Sequence, residues 1–319
     1  MTDLVTFGET MLRLSPPDAE RVESTRSFEV RAAGAESNVA IAAQRLGADS
    51  RWISKLPASP LGRRVVNELH WHGIDTDVVW SDEGRQGTYF LEQAGEPRGA
   101  EVIYDRSNSA VTTATADELP TEHVERAKAF HTTGITPALS NRLAETTANL
   151  LSIAQRSGTK TVFDLNYRSK LWSPDRARAM VTKLFPAIDV LVTAERDAKN
   201  VLGFEGNAKH ITHSLAAKWE FDTVVLTRGA RGALAIHDGV LHEQHAFETE
   251  TLDPIGTGDA FVGAFVARRL AGADVSTALS YAAATASLKR TIPGDVAAVT
   301  LEEVEEVIER EGDGSEISR

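Results

Sequence analysis

A chain of 319 residues with 42% hydrophobic and 25% charged residues is long enough to bury a sizeable core, as one large α/β domain or two. Its formal charge of −12 repels nucleic acid and anionic membranes, so neither is an expected partner, and the lack of cysteine excludes disulfides and thiolate metal sites. A reducing cytoplasm fits this composition; arginine outnumbers lysine, and the acidic excess would equally suit a salt-rich cytoplasm.

In chain order, Leu4 to Phe7 reads as a short buried strand, with neither a secretory leader nor a membrane span expected before it. Met11 to Leu14 and Phe28 to Ala32 alternate like strands with one exposed face, separated by a Pro16-Pro17-Asp18 turn. Gly34, Ser37 and Asn38 open a helix that carries Val39, Ile41, Ala42 and Leu46 and stops at Gly47, with Ser37 or Asn38 able to cap it. Ser50 to Lys55 reads as a strand and Leu61 to His72 as a helix, the alternation expected of a parallel sheet. Thr88 to Leu91 and Glu101 to Arg106 are strand-like, joined by a polar hairpin from Gln93 to Ala100. Period-two alternation puts Tyr104 and Arg106 on one face, where an aromatic ring and a guanidinium could grip a carboxylate or simply stand in solvent.

Regular α/β alternation follows, with strands at Ala129 to Thr132, Thr161 to Leu165 and Val190 to Val192 and a helix from Asn141 to Gln155. After the second of these strands comes D-L-N-Y-R-S-K-L-W, Asp164 to Trp172, with polar residues where an open α/β sheet usually meets its ligand. Asn166 and Arg168 could meet a phosphate or carboxylate while Asp164 holds the loop; a polar turn with Trp172 packed beneath it is the plainer reading. Thr223 to Leu226 leads into Thr227-Arg228-Gly229-Ala230-Arg231-Gly232, a glycine turn before another strand. No Walker A or dinucleotide glycine motif is present. Gly256, Thr257, Gly258 and Asp259 stand at the start of an apolar helix, where free N–H groups and the positive dipole end attract an anion and glycine lets the backbone approach it. An aspartate capping its own helix is the alternative. Val275 to Leu288 reads as an alanine-rich helix, suited to close packing or to a flat wall beside an adenine; Pro293-Gly294-Asp295 reads as a turn; Leu301 to Ile308 as a last amphipathic helix; Glu311 to Arg319 as a frayed tail.

D-P-I-G-T-G-D-A-F-V-G-A-F from Asp253, and A-A-G-A-E-S-N-V-A-I-A-A-Q-R-L-G from Ala32 to Gly47, resemble the two signatures of the ribokinase/PfkB family of sugar kinases. The resemblance covers nearly the whole chain. It implies an α/β, ribokinase-like fold: a mostly parallel central sheet flanked by helices over residues 1–9, 33–86 and 111–319, with a small β-sheet lid from 10–32 and 87–110. It makes Asp259 the catalytic base and Gly256, Thr257 and Gly258 an anion hole, with ATP and Mg²⁺ as co-substrate and cofactor. By the same resemblance Glu9, Gly34, Asn38, Tyr89, Tyr104, Arg106, Arg168 and Asp295 would bind substrate. Asn166, Arg168, Thr227, Arg228, Gly229 and Gly232 would border the nucleotide, as would Gly256 and Gly258. Gly8-Glu9, Y-D-R-S-N-S-A and K-L-W resemble the 2-keto-3-deoxygluconate kinases, implying phosphorylation of the terminal hydroxyl of that sugar acid; the galactonate epimer stays open. An N-x-x-E motif that organises magnesium is expected at Ala194-Glu195-Arg196-Asp197; Ala stands for Asn and Asp for Glu, which leaves Asp197 as the one carboxylate for the metal. A kinase of neutral sugars such as fructose, or a non-catalytic sugar sensor, are the alternative functions. Exposed lid strands carry unpaired edges, which pairing between subunits would cover, so a homo-oligomer is expected.

Overall fold

The computed structural model describes residues 2–93 and 97–316. The first half of the chain forms β1 (Leu4–Phe7), β2 (Met11–Ser15), β3 (Glu29–Ala33), α1 (Ala35–Arg45), β4 (Ser50–Pro57), α2 (Pro60–Trp71), β5 (Asp75–Ser81), β6 (Thr88–Gln93) and β7 (Ala100–Asp105). Then follow α3 (Thr121–Arg126), β8 (Ala129–Thr133), α4 (Ile135–Leu139), α5 (Asn141–Ser157), β9 (Lys160–Asp164), α6 (Pro174–Leu184), β10 (Val190–Ala194) and α7 (Glu195–Asn200). The chain ends with α8 (Ala208–Lys218), β11 (Thr223–Thr227), β12 (Ala233–His237), β13 (Val240–Gln244), α9 (Thr257–Leu270), α10 (Val275–Arg290) and α11 (Leu301–Glu316).

Nine strands make one sheet in the order β13-β12-β11-β10-β9-β8-β1-β4-β5, parallel from β11 to β5 and antiparallel at β12 and β13. Successive side chains point to opposite faces, so each central strand feeds two cores. On β9, Phe163 enters a core with α5, α6 and α8, while Val162 joins the core beneath α9 and α10. A second sheet, β3-β2-β6-β7, pairs β2 with β6 in parallel and the outer strands antiparallel. Its four strands lie where the sequence reading expected strands at Met11 to Leu14, Phe28 to Ala32, Thr88 to Leu91 and Glu101 to Arg106. Among the described residues no helix is long and apolar enough to cross a membrane.

Several local expectations need correcting. The N-cap of α1 is Gly34, so Ser37 and Asn38 lie inside the first turn: Ser37 Oγ donates back to Gly34 O at 3.1 Å, and Asn38 is free to reach elsewhere. Arg106 falls one residue past β7. The strand β5 and the helices α6 and α8 lie in stretches for which the sequence reading named no element, and α11 runs on past Ile308. Residues 94–96 of the expected hairpin and 317–319 of the expected tail lie outside the described residues.

Two glycines set the geometry near the site. Gly263 of α9 faces α1 so closely that a Cβ there would lie 2.5 Å from Val39 O, which brings α1 beside the start of α9. Gly256 has φ +78° and packs against Asp295 O, where a Cβ would fall at 1.9 Å. Only glycine fits.

Candidate active site

The parallel strands end at one edge of the sheet, and a cavity of about 450 Å³ opens there beneath the small sheet. Its floor is the start of α9. The first helical bond runs from Ala260 N–H to Gly256 O, so the N–H groups of Gly258 and Asp259 have no intrahelical acceptor, and the α9 dipole points its positive end at the same space. Asp259 lines the cavity at 9% exposure, its Oδ2 accepting from Asn38 Nδ2 at 2.8 Å. Burial pushes its carboxyl up to about 7; Asp295 and Glu36 push the same way, against the Asn38 hydrogen bond and the Arg168 charge. Asp164, at the end of β9, is pushed up to about 7 by burial and by the charge of Asp259.

One side of the cavity is built by both sheets. Glu9 follows β1, Gly34 and Asn38 begin α1, and Tyr89 and Tyr104 come from β6 and β7, their rings 5.9 Å apart. The buried Oδ1 of Asn38 and Oε1 of Glu9 have no hydrogen-bond partner among the described residues, which makes them acceptors for hydroxyl groups. Arg106 departs from the grip expected of it. Its Nε donates to Glu9 Oε2 at 2.8 Å and its Nη2 goes to the same oxygen, so the guanidinium fork already holds a protein carboxylate. Arg168 lines the cavity from the loop after β9, and its side chain makes no ion pair or hydrogen bond among the described residues. Just before it, Asn166 takes a left-handed φ of +38° and donates its N–H to Asp164 Oδ1 at 3.2 Å, a conformation asparagine tolerates better than most residues. Asp295 touches the cavity, but Tyr89 OH donates to its Oδ1 at 2.8 Å and Arg13 Nη1 to its Oδ2 at 2.7 Å.

On the far side, Thr227 and Asn166 reach the cavity, whereas Arg228, Gly229 and Gly232 stand outside its lining. Arg228 Nη1 donates to Glu243 Oε1 at 2.8 Å, and Gly232 packs on the backbone of Gln244, so that turn closes the β11–β12 connection. At the departed magnesium motif, Glu195 is held by Lys199 at 2.7 Å and by Arg231, while Asp197 lines the cavity and accepts from Arg196 Nε at 2.9 Å. Among the described residues no three His, Asp or Glu side chains converge on one metal position. The donors fit a Mg²⁺ ion carried mainly by phosphate oxygens and water, with Asp197 nearby.

Sequence reasoning missed Glu36 as a wall of the site. Its fully buried carboxylate accepts from Thr133 Oγ1 and Thr136 Oγ1, both at 2.7 Å, and burial raises it above the usual carboxylate range. A single charged residue in the otherwise uncharged A-G-A-E-S-N-V-A run is the signal that could have found it.

The pfkB family carbohydrate kinase model matches residues 1–300. The chain is 60% identical to a 2-dehydro-3-deoxygalactonokinase of Haloferax volcanii over 98% of both chains, and 32% identical to a 2-dehydro-3-deoxygluconokinase of Thermoproteus tenax over 92% of this chain and 90% of that one. A crystal structure of 2-dehydro-3-deoxygluconokinase from Thermotoga maritima superposes with a TM-score of 0.91 at 35% identity, covering 97% of this chain and all of that one. The chain therefore belongs to the pfkB family of carbohydrate kinases, with the ribokinase-like α/β fold and an ATP-dependent kinase activity.

Proposed function

We propose that the chain transfers the γ-phosphoryl group of ATP to the terminal hydroxyl of a 2-dehydro-3-deoxy sugar acid. The observation that carries this reading is Asp259: a cavity-floor carboxylate held by Asn38 beside the N–H groups of an uncapped helix start. Asp259 accepts the proton of the attacking hydroxyl as its oxygen bonds the γ-phosphorus and the bond to the ADP oxygen breaks. Gly256, Thr257 and Gly258 form the anion hole, and Arg168 adds positive charge beside the transferred group. Mg²⁺, when bound with the nucleotide, would neutralise phosphate charge near Asp197.

The acid end of the substrate is supported by the remaining Nη1 of Arg106, with Tyr89 and Tyr104 as the wall; Asn38 and Glu9 offer acceptors to its hydroxyls. The sequence signatures favour 2-keto-3-deoxygluconate, whereas the relative at 60% identity is named for the galactonate epimer, so both are proposed substrates. The two-sheet division into a catalytic body and a lid, cytoplasmic residence and a homo-oligomer joined through the lid complete the reading. The test is a coupled ADP-release assay with Mg²⁺ on both sugar acids, fructose and ribose. Turnover on one or both acids at least about tenfold above the neutral sugars supports the reading, and a neutral sugar preferred over both contradicts it.

A further inference from the structure

Behind the anion-hole turn lies a buried group of four charges that the phosphoryl-transfer scheme above does not use. Lys289, in the last turn of α10, is 0% exposed, and its Nζ donates to two main-chain carbonyls, Asp253 O at 3.2 Å and Ile292 O at 3.0 Å. Arg13, from β2 of the small sheet, is 5% exposed and donates to Asp295 at 2.7 Å and Asp253 at 3.3 Å. The Asp253 carboxylate also accepts from Ile255 N at 3.0 Å and Gly294 N at 2.9 Å.

These contacts join two irregular segments, 253–256 and 292–295. The first leads directly into the Gly256–Gly258 turn proposed to face phosphate; the second supplies the Asp295 carbonyl on which Gly256 rests. The end of α10 holds the first segment at one edge, where Leu252 N–H and Asp253 N–H donate to Arg290 O at 2.9 and 3.0 Å; among the described residues no main-chain hydrogen bond joins 253–256 directly to 292–295. A buried ammonium is costly to desolvate, and an apolar side chain of similar volume would remove that cost. Burial does pull the Lys289 ammonium below its ordinary value, with the Asp253 and Asp295 charges acting in the opposite direction. Lys289 answers its desolvation with carbonyl oxygens from both segments at once, so the charge acts as a tether between them.

Resting on the kinase reading, we propose that Lys289, with Arg13 as the second cation, is a positioning residue that fixes the Gly256–Gly258 turn against the 292–295 turn and so sets the phosphate-binding geometry. The test compares Lys289→Ala, whose short side chain leaves room for a small amine, with Lys289→Met, which keeps volume but loses charge. Both should lower kcat by about tenfold or more while the KM for sugar acid stays within about threefold. Ammonium or methylammonium chloride should restore part of the kcat of Lys289→Ala and raise its melting temperature, whereas choline chloride at equal ionic strength does neither. A Lys289→Met protein with kcat within about twofold of wild type overturns the proposal, as does a Lys289→Ala defect that neither amine relieves. Should neither variant fold, Arg13→Met decides, and near-wild-type kcat there overturns it. A wild-type chain inactive on every sugar would instead sink the kinase reading, and the amine-dependent melting of Lys289→Ala would still decide whether the carbonyl cradle holds a cation.

Discussion

Asp259 and Asp164 share one electrostatic environment, a low-dielectric cavity wall with carboxylates nearby, and burial pushes each up to about 7. Their titrations are coupled, so a pH profile reports the pair. If the ionised form of Asp259 is the working base, kcat/KM for the sugar acid rises with pH through about 7. Asn38→Ala removes a hydrogen bond to the charged form, so its acid limb moves to higher pH; an unmoved limb in the measured profile would exclude Asn38 as a partner of the base. The same shift bears on stability. A carboxyl raised in the folded state contributes stability that is complete below its unfolded value, near 3.9, and that is lost as pH rises to its folded value. Asp259→Asn should therefore melt higher than wild type, by roughly a few degrees, at about pH 8, with the difference shrinking toward about pH 4 in thermal melts.

Elements bring these residues together through close backbone approaches rather than through long side chains. At the turn before α9, a Gly256→Ala chain must relieve both a left-handed φ of +78° and a Cβ 1.9 Å from Asp295 O. The expected outcome is a loss of more than about 1 kcal/mol in denaturant unfolding together with reduced kcat; an equally stable and active variant would show that the turn tolerates rearrangement. The α1 and α9 signatures were legible in the sequence because glycine spacing and apolar periodicity are local signals, and β1, β10 and β11 were legible as β-branched or apolar runs. The Asp75–Ser81 strand was not: it is an edge strand of mixed burial, and its D-T-D-V-V-W-S string follows neither period cleanly. The cap of α1 was misread because the N-cap is Gly34, which has no side chain to signal it, while Asn38, one of two residues read as able to cap, is the hydrogen-bond partner of Asp259. The Arg106–Glu9 pair could not be foreseen either, since it joins residues 97 positions apart through tertiary packing alone.

For the whole molecule, the small sheet both roofs the cavity and presents an outer surface. Lys170, from the loop after β9, donates to Val102 O of β7 at 2.7 Å, and Gln93 Nε2 to Leu252 O at 3.3 Å, so the sheet is tied to the body on two sides. Its edge strands are β3 and β7, and Ile103 on β7 is 47% exposed. Pairing of two such sheets would cover these edges, and light scattering should then show an oligomer that Ile103→Glu weakens; a monomeric wild-type chain would refute lid pairing. The account as a whole turns on one carboxylate at the end of the larger sheet. Its most direct test is the kcat of Asp259→Asn against wild type, with ATP, Mg²⁺ and the preferred 2-dehydro-3-deoxy sugar acid, on protein whose melting curve shows it folded. A fall of about 10²- to 10⁴-fold is the predicted result, and a kcat within about tenfold of wild type would contradict it.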